Sequence, residues 1–121
     1  MMKVGVDIVE VERFKNMYET KQNLSKVYSE YEITHIGKVA KGLPRMAGLY
    51  AAKEAVVKAL GIGLFGGLLL SEIEIRHNEN GRPYLNLTDK VLKVFAQHGV
   101  VSADISISHT DTTAVAVCIL E

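Results

Sequence analysis

A long helix at the centre of the chain constrains the fold most. Pro44 suits the first turn of such a helix, and Gly61, able to take positive φ, suits its end. At helical spacing Leu49, Ala52, Val56, Ala59 and Leu60 share one side, while Ala47, Ala51, Glu54, Lys58 and Gly61 share the other. The first side reads as core. A solvated face is usually dense with Lys, Glu and Gln, yet the second side carries one acid and one base among residues with almost no side chain. The pattern predicts a face with room for a ligand to lie against it.

The segments around this helix alternate between helical and strand periods. Val4, Val6 and Ile8 alternate with Gly5, Asp7 and Val9, which predicts a strand with one strongly apolar face. Val11, Phe14 and Tyr18 fit a short helix. Ser29 and Glu32 have the form of a capping box opening a helix through Ile33, Ile36 and Ala40, which Gly42 interrupts. A glycine-rich loop runs from Gly61 to Gly67. Ile73, Ile75 and His77, then Asn80-Gly81, then Tyr84, Leu85 and Leu87 read as a hairpin. Thr88 caps a predicted helix over Val91, Leu92 and Phe95 that Gly99 stops. Strands at Ile105–His109 and Ala114–Leu120 close the chain. The strands are joined by turns more than by crossover helices, which predicts an α+β fold in one domain over residues 1–121.

Composition narrows the function classes. Lys and Arg number 14 and Asp and Glu number 14, so no global field draws in nucleic acid or an anionic membrane. No apolar run reaches the length of a membrane span, and no secretory leader pattern opens the chain, so a cytoplasmic protein is expected. Cys118 stands alone in an apolar run and reads as a buried core thiol.

The candidate chemistry starts at Asp7, an acid inside an apolar strand, which must be hydrated, paired, hydrogen-bonded or bound to a metal. Glu54 reads either as an ion-pair partner for Lys58 one turn on or as a second carboxylate of the same site. Two carboxylates from separate elements, completed by water or substrate oxygens, suit Mg²⁺. Lys58 would then face an anion held by the metal, and Gly61-Ile62-Gly63 would offer backbone N–H groups to a phosphate. His109 ends a strand beside a turn and is either a structural hydrogen-bonder or a ligand contact, while His35, His77 and His98 lack metal-ligand spacing. Lys38, Lys41 and Arg45 form a loose basic cluster suited to an acidic partner.

On these residues the chain resembles the holo-acyl-carrier-protein synthases, the small 4′-phosphopantetheinyl transferases. Gly5-Val6-Asp7-Ile8-Val9-Glu10-Val11-Glu12-Arg13-Phe14 is similar to the opening block of that family. Ala51-Ala52-Lys53-Glu54-Ala55, continuing to Gly61, is similar to its central signature, and Ile105-Ser106-Ile107-Ser108-His109-Thr110 to its closing block. The resemblance implies an antiparallel sheet packed with a long central helix. It implies transfer of the 4′-phosphopantetheine arm of coenzyme A to a serine of apo-acyl carrier protein, with release of adenosine 3′,5′-bisphosphate, in support of fatty-acid synthesis. It further implies Mg²⁺ held by Asp7 and Glu54. Glu54 and Lys58 are expected to be catalytic, with Glu54 taking the serine proton through a metal-bound water. Lys58, Gly61, Gly63 and His109 would line the coenzyme site, and Arg13, with Lys41 and Arg45, would meet the carrier. A homotrimer with active sites at the seams between protomers is part of the same expectation.

The chain departs from that pattern at Leu49, where the family commonly has arginine, and at Arg45, where it has an apolar residue; the two lie one turn apart, and Arg45 is expected to take over the displaced charge. Ile62 stands where threonine is frequent, and Asp111 follows the closing block with no assigned role. The competing readings are a Mg²⁺-dependent pyrophosphate or phosphodiester hydrolase using the same carboxylates, and a non-catalytic binding module.

Overall fold

The computed structural model describes residues 1–37, 42–63 and 66–121. β1 (Lys3–Glu10) leads through a 3-10 turn (Val11–Phe14) into α1 (Lys15–Thr20), α2 (Leu24–Val27) and α3 (Glu30–Gly37), ahead of the long helix α4 (Gly42–Leu60). A second 3-10 turn (Leu70–Glu72), the hairpin β2 (Ile75–His77) and β3 (Pro83–Leu85), α5 (Asp89–Gln97) and the strands β4 (Ala103–His109) and β5 (Thr113–Leu120) follow. The chain is α+β, as expected: β1, β5 and β4 form an antiparallel sheet in that order, β2 and β3 form a separate hairpin beside β4, and α4 packs across the larger sheet.

The local signals hold where they rest on caps and turns. The Ser29 N–H donates to Glu32 Oε1 at 2.8 Å and the Glu32 N–H to Ser29 Oγ at 3.2 Å, the two halves of a capping box. Thr88 Oγ1 accepts from the Val91 N–H at 3.3 Å to start α5. Gly81 sits at φ +82° in the hairpin turn, where only glycine is unstrained. The end of the helix expected to run to Ala40 lies outside the described residues.

One expectation about a helix face is corrected. The small residues of α4 do not leave room for a ligand: Ala47, Ala51, Ala52 and Ala55 are wholly buried because the sheet itself occupies that space. Gly5 shows how close the approach is, since a Cβ there would lie 1.9 Å from Ala55 O and 2.6 Å from Ala59 N. The apolar face of β1 turns away from α4. Gly5, Asp7 and Val9 face α4, whereas Val4, Val6 and Ile8 are 61%, 53% and 67% exposed on the outside of the sheet. Only a residue without a side chain fits under α4 at position 5, and strand alternation then turns the branched residues outward.

Lys53 was given no role by the helix pattern, yet it is fully buried. Its ammonium donates to Glu32 Oε1 at 2.6 Å, Ile73 O at 2.7 Å and Leu70 O at 3.0 Å. Glu32 Oε2 in turn accepts from the Ile75 N–H at 2.8 Å. Burial pushes the Glu32 pKa up and the Lys53 pKa down, and the acceptors around the ammonium and the backbone donors around the carboxylate oppose both shifts. This buried pair ties α4 to α3, to the Leu70–Glu72 turn and to β2.

Candidate active site

Asp7 lies on the inner face of β1 because it follows Gly5 by one strand period. It is only 13% exposed and meets Lys58 from the last turn of α4, whose side chain leans back toward the helix N-terminus. Lys58 Nζ donates to Asp7 Oδ1 at 2.9 Å and to Val6 O at 3.2 Å. The Asp7 carboxylate raises the Lys58 pKa, and the charge of Glu54 adds to the shift. Lys58 is therefore clasped by Asp7 rather than by a helical ion pair with Glu54.

Asp7 Oδ2 is buried without a hydrogen-bond partner among the described residues. A carboxylate oxygen in that state is costly unless a cation or donor completes it. Glu54, half-buried and one turn before Lys58, supplies a second hard oxygen donor on the same side. No group of three or more His, Cys, Asp or Glu side chains able to hold a metal occurs among the described residues. An ion here would take its remaining ligands from water or substrate, as Mg²⁺ commonly does.

Beside this pair a cleft of about 480 Å³ opens between the end of α4 and the segment leading to the second 3-10 turn. Glu54, Lys58, Ile62 and Gly63 line one wall, Leu68, Leu69 and Leu70 the other, with Lys26 at its margin. The backbone of the glycine-rich loop is less available than expected. The Gly61 N–H donates to Val57 O at 3.0 Å and to Lys58 O at 3.1 Å, and the Ile62 N–H to Val57 O at 3.3 Å. These amides close the helix, with Gly61 at φ +73°, so they are not free for a phosphate.

The remaining expected residues lie elsewhere. His109, at the end of β4, lines a second cleft of about 130 Å³ together with Arg45, Leu49, His77 and Gly81. Arg45 and Lys58 are separated by about 20 Å along α4, so His109 and Lys58 do not share a cavity within the chain. Arg45 is a half-buried wall of the His109 cleft, and Leu49 is fully buried. Arg13 stays exposed on the 3-10 turn after β1. Its guanidinium lies 5.0 Å from the Tyr50 ring centroid and 5.5 Å from that of Phe14, and donates to the Tyr50 hydroxyl at 3.2 Å. Lys41 lies outside the described residues.

The sequence reading missed Tyr50 and the buried pairing of Lys53 with Glu32, which it gave only a capping role. Lys53 was detectable: Leu49, Lys53, Val56 and Leu60 follow the i+4, i+3, i+4 spacing of the core stripe. The leucine wall of the larger cleft had no comparable signal, because its partner wall comes from α4.

Residues 3–118 match the model of the 4′-phosphopantetheinyl transferase superfamily. A holo-[acyl-carrier-protein] synthase of Clostridium botulinum (strain Alaska E43 / Type E3) is 41% identical over 119 residues, covering 98% of this chain and 95% of the relative. The crystal structure of the holo-[acyl-carrier-protein] synthase of Neisseria meningitidis superposes with a TM-score of 0.87 at 25% identity, covering 98% of this chain and 97% of that one. That of Helicobacter pylori, in complex with coenzyme A, gives a TM-score of 0.83 at 27% identity, covering 98% and 99%.

Proposed function

The chain belongs to the 4′-phosphopantetheinyl transferase superfamily, and from that premise we propose that residues 1–121 form one transferase domain. It moves the 4′-phosphopantetheine arm of coenzyme A onto a serine of apo-acyl carrier protein and releases adenosine 3′,5′-bisphosphate, in the cytoplasm and in support of fatty-acid synthesis. The observation that carries this reading is the unpartnered Asp7 Oδ2 beside the Asp7–Lys58 clasp, with Lys58 and Glu54 lining the larger cleft. The coenzyme-bound relative supports coenzyme A as the donor.

Asp7 and Glu54 would hold Mg²⁺, whose chemistry when bound is to neutralise the pyrophosphate and stabilise the leaving group. Asp7 also fixes Lys58, so that the ammonium stands beside the same phosphates without reorganising. Glu54 would take up the serine proton through a water as the hydroxyl attacks the phosphorus of the phosphopantetheine arm. The Leu68–Leu70 wall shields the arm from water. Positioning and charge neutralisation carry this class of reaction, so no nucleophile is needed in the chain itself.

The functional unit is a homotrimer. Val4 lies opposite Ile119 and Val6 opposite Val117, and with Ile8 they form an exposed apolar patch on the outer sheet face. Sedimentation should show three copies at micromolar concentration; a monomer would contradict it. Arg13, braced on Tyr50, meets the acidic carrier. Among the described residues no helix is long and apolar enough to cross a membrane.

The test is a mass measurement. Coenzyme A, Mg²⁺ and apo-carrier should give a carrier heavier by one phosphopantetheine, and Asp7→Asn or Glu54→Gln should cut the rate at least about a hundredfold. Coenzyme cleavage with an unmodified carrier would make the protein a hydrolase instead.

A further inference from the structure

The larger cleft runs from charge to hydrocarbon. Glu54 and Lys58 mark its polar side, and Leu68, Leu69 and Leu70 stand across from them. Leu68 is buried, Leu70 half-buried and Leu69 exposed. In coenzyme A the stretch of the arm next to the phosphates carries two methyl groups on one carbon. With the phosphates at Lys58, that hydrocarbon falls against the leucines.

The leucine wall is a weak structure by itself. It follows a stretch holding Gly61, Gly63, Gly66 and Gly67, and glycine brings the most chain entropy to be lost on ordering. Within the turn, the Glu72 N–H donates to Leu69 O at 2.9 Å and the Ile73 N–H to Leu70 O at 3.1 Å. A single 3-10 turn has poor hydrogen-bond geometry and does not stand alone.

Two charged side chains secure it. Lys53 Nζ, fully buried behind the wall, donates to Leu70 O at 3.0 Å and to Ile73 O at 2.7 Å, and is held in turn by Glu32 Oε1 at 2.6 Å. Glu72 Oε1 accepts the Leu69 N–H at 2.8 Å, while its other oxygen pairs with Lys90 of α5. Lys90 first, then the Leu69 N–H, hold the Glu72 carboxyl below the usual carboxylate range. Lys53 and Glu54 are consecutive on α4 and point about 100° apart. One helix therefore supplies the polar wall through Glu54 and Lys58 and anchors the apolar wall through Lys53.

We propose that Lys53 and Glu72 are positioning residues for the coenzyme arm, holding Leu69 and Leu70 in place across from Glu54 and Lys58 before coenzyme arrives. Neither residue lines the cleft itself. A wall ordered in advance spares binding the entropy of ordering it. The assignment of the arm rests on the transferase reading above.

Adenosine 3′,5′-bisphosphate is the control ligand, because it carries the nucleotide of coenzyme A and lacks the arm. The intact protein is titrated calorimetrically with each ligand in the presence of Mg²⁺. Glu72→Ala should raise the Kd for coenzyme A about tenfold and leave that for the bisphosphate within about twofold of its original value. Glu72→Gln, whose amide oxygen still accepts the Leu69 N–H, should recover most of the loss. Lys53→Met strands the Glu32 carboxylate, so it is combined with Glu32→Gln; the double variant should show the same selective loss. Equal weakening of both ligands, an unchanged coenzyme A Kd in Glu72→Ala, or a Gln variant as weak as the Ala one would overturn the proposal. A carrier modified by the unaltered protein while Glu72→Ala binds coenzyme A normally removes the positioning role and keeps the transferase reading. A selective loss of coenzyme A binding in a protein that never modifies a carrier does the reverse.

Discussion

Replacing Lys53 with Met should cost about 3–5 kcal/mol of folding stability. Methionine fills nearly the same volume, so the change removes charge and donors rather than packing. It leaves the Glu32 carboxylate fully buried without its counter-ion, and breaking one side of a buried pair carries a penalty of that size. It also strips the donor from Ile73 O and Leu70 O. A domain of this kind has about 5–15 kcal/mol in total, so the variant sits near the edge of folding. Urea unfolding at fixed protein concentration is the assay. With a slope of about 1.5–2 kcal/mol per molar, the midpoint should fall by about 2 M. Adding Glu32→Gln should recover part of the loss, since the amide oxygen still accepts a backbone N–H while the stranded charge is gone. A loss below about 1 kcal/mol, or a double variant as unstable as the sum of the singles, would refute the ion-pair account. Because Leu70 lies in the wall of the larger cleft, surviving Lys53→Met protein should also bind coenzyme more weakly.

Gly5→Ala forces a Cβ into the backbone of α4, with Ala55 O at 1.9 Å, and should lower Tm by about 10 °C in a thermal melt. An unchanged Tm would mean that helix and sheet are less tightly packed than described. The His77 pKa is depressed in the folded state from 6.5 to about 4, so the unfolded chain binds more protons between those values. Stability should be flat above pH 6.5 and fall toward pH 4, by about 1–2 kcal/mol after solvent screening. His77→Gln should abolish that part of the slope, and a slope unchanged in the variant would locate the titration elsewhere. Arg13→Glu should lower kcat/KM for the carrier at least about tenfold while leaving the KM for coenzyme A unaltered; equal effects on both substrates would remove Arg13 from the carrier surface.

Legibility followed the range of the interaction. The Ser29–Glu32 box, the Thr88 cap, the Asn80-Gly81 turn and the strand periods depend on residues a few positions apart, and each appears where the sequence puts it. Asp7, Glu54 and Lys58 were legible as chemistry because an acid in an apolar strand and an acid one turn from a base are visible locally. Their arrangement was not: Lys58 is held by Asp7, 51 residues away, instead of by its helical neighbour.

By itself, the sequence determined the α+β elements, the long central helix, the family and the identity of the charged residues. The tertiary structure decided which faces are inside. Gly5 lets α4 approach the sheet, so the alanines are consumed by packing and the valines of β1 turn outward. It also decided that His109 joins Arg45 and His77 in a cleft far from Lys58. Period and propensity specify which residues share a face. Which face is buried depends on what lies opposite, and only the packed chain supplies that.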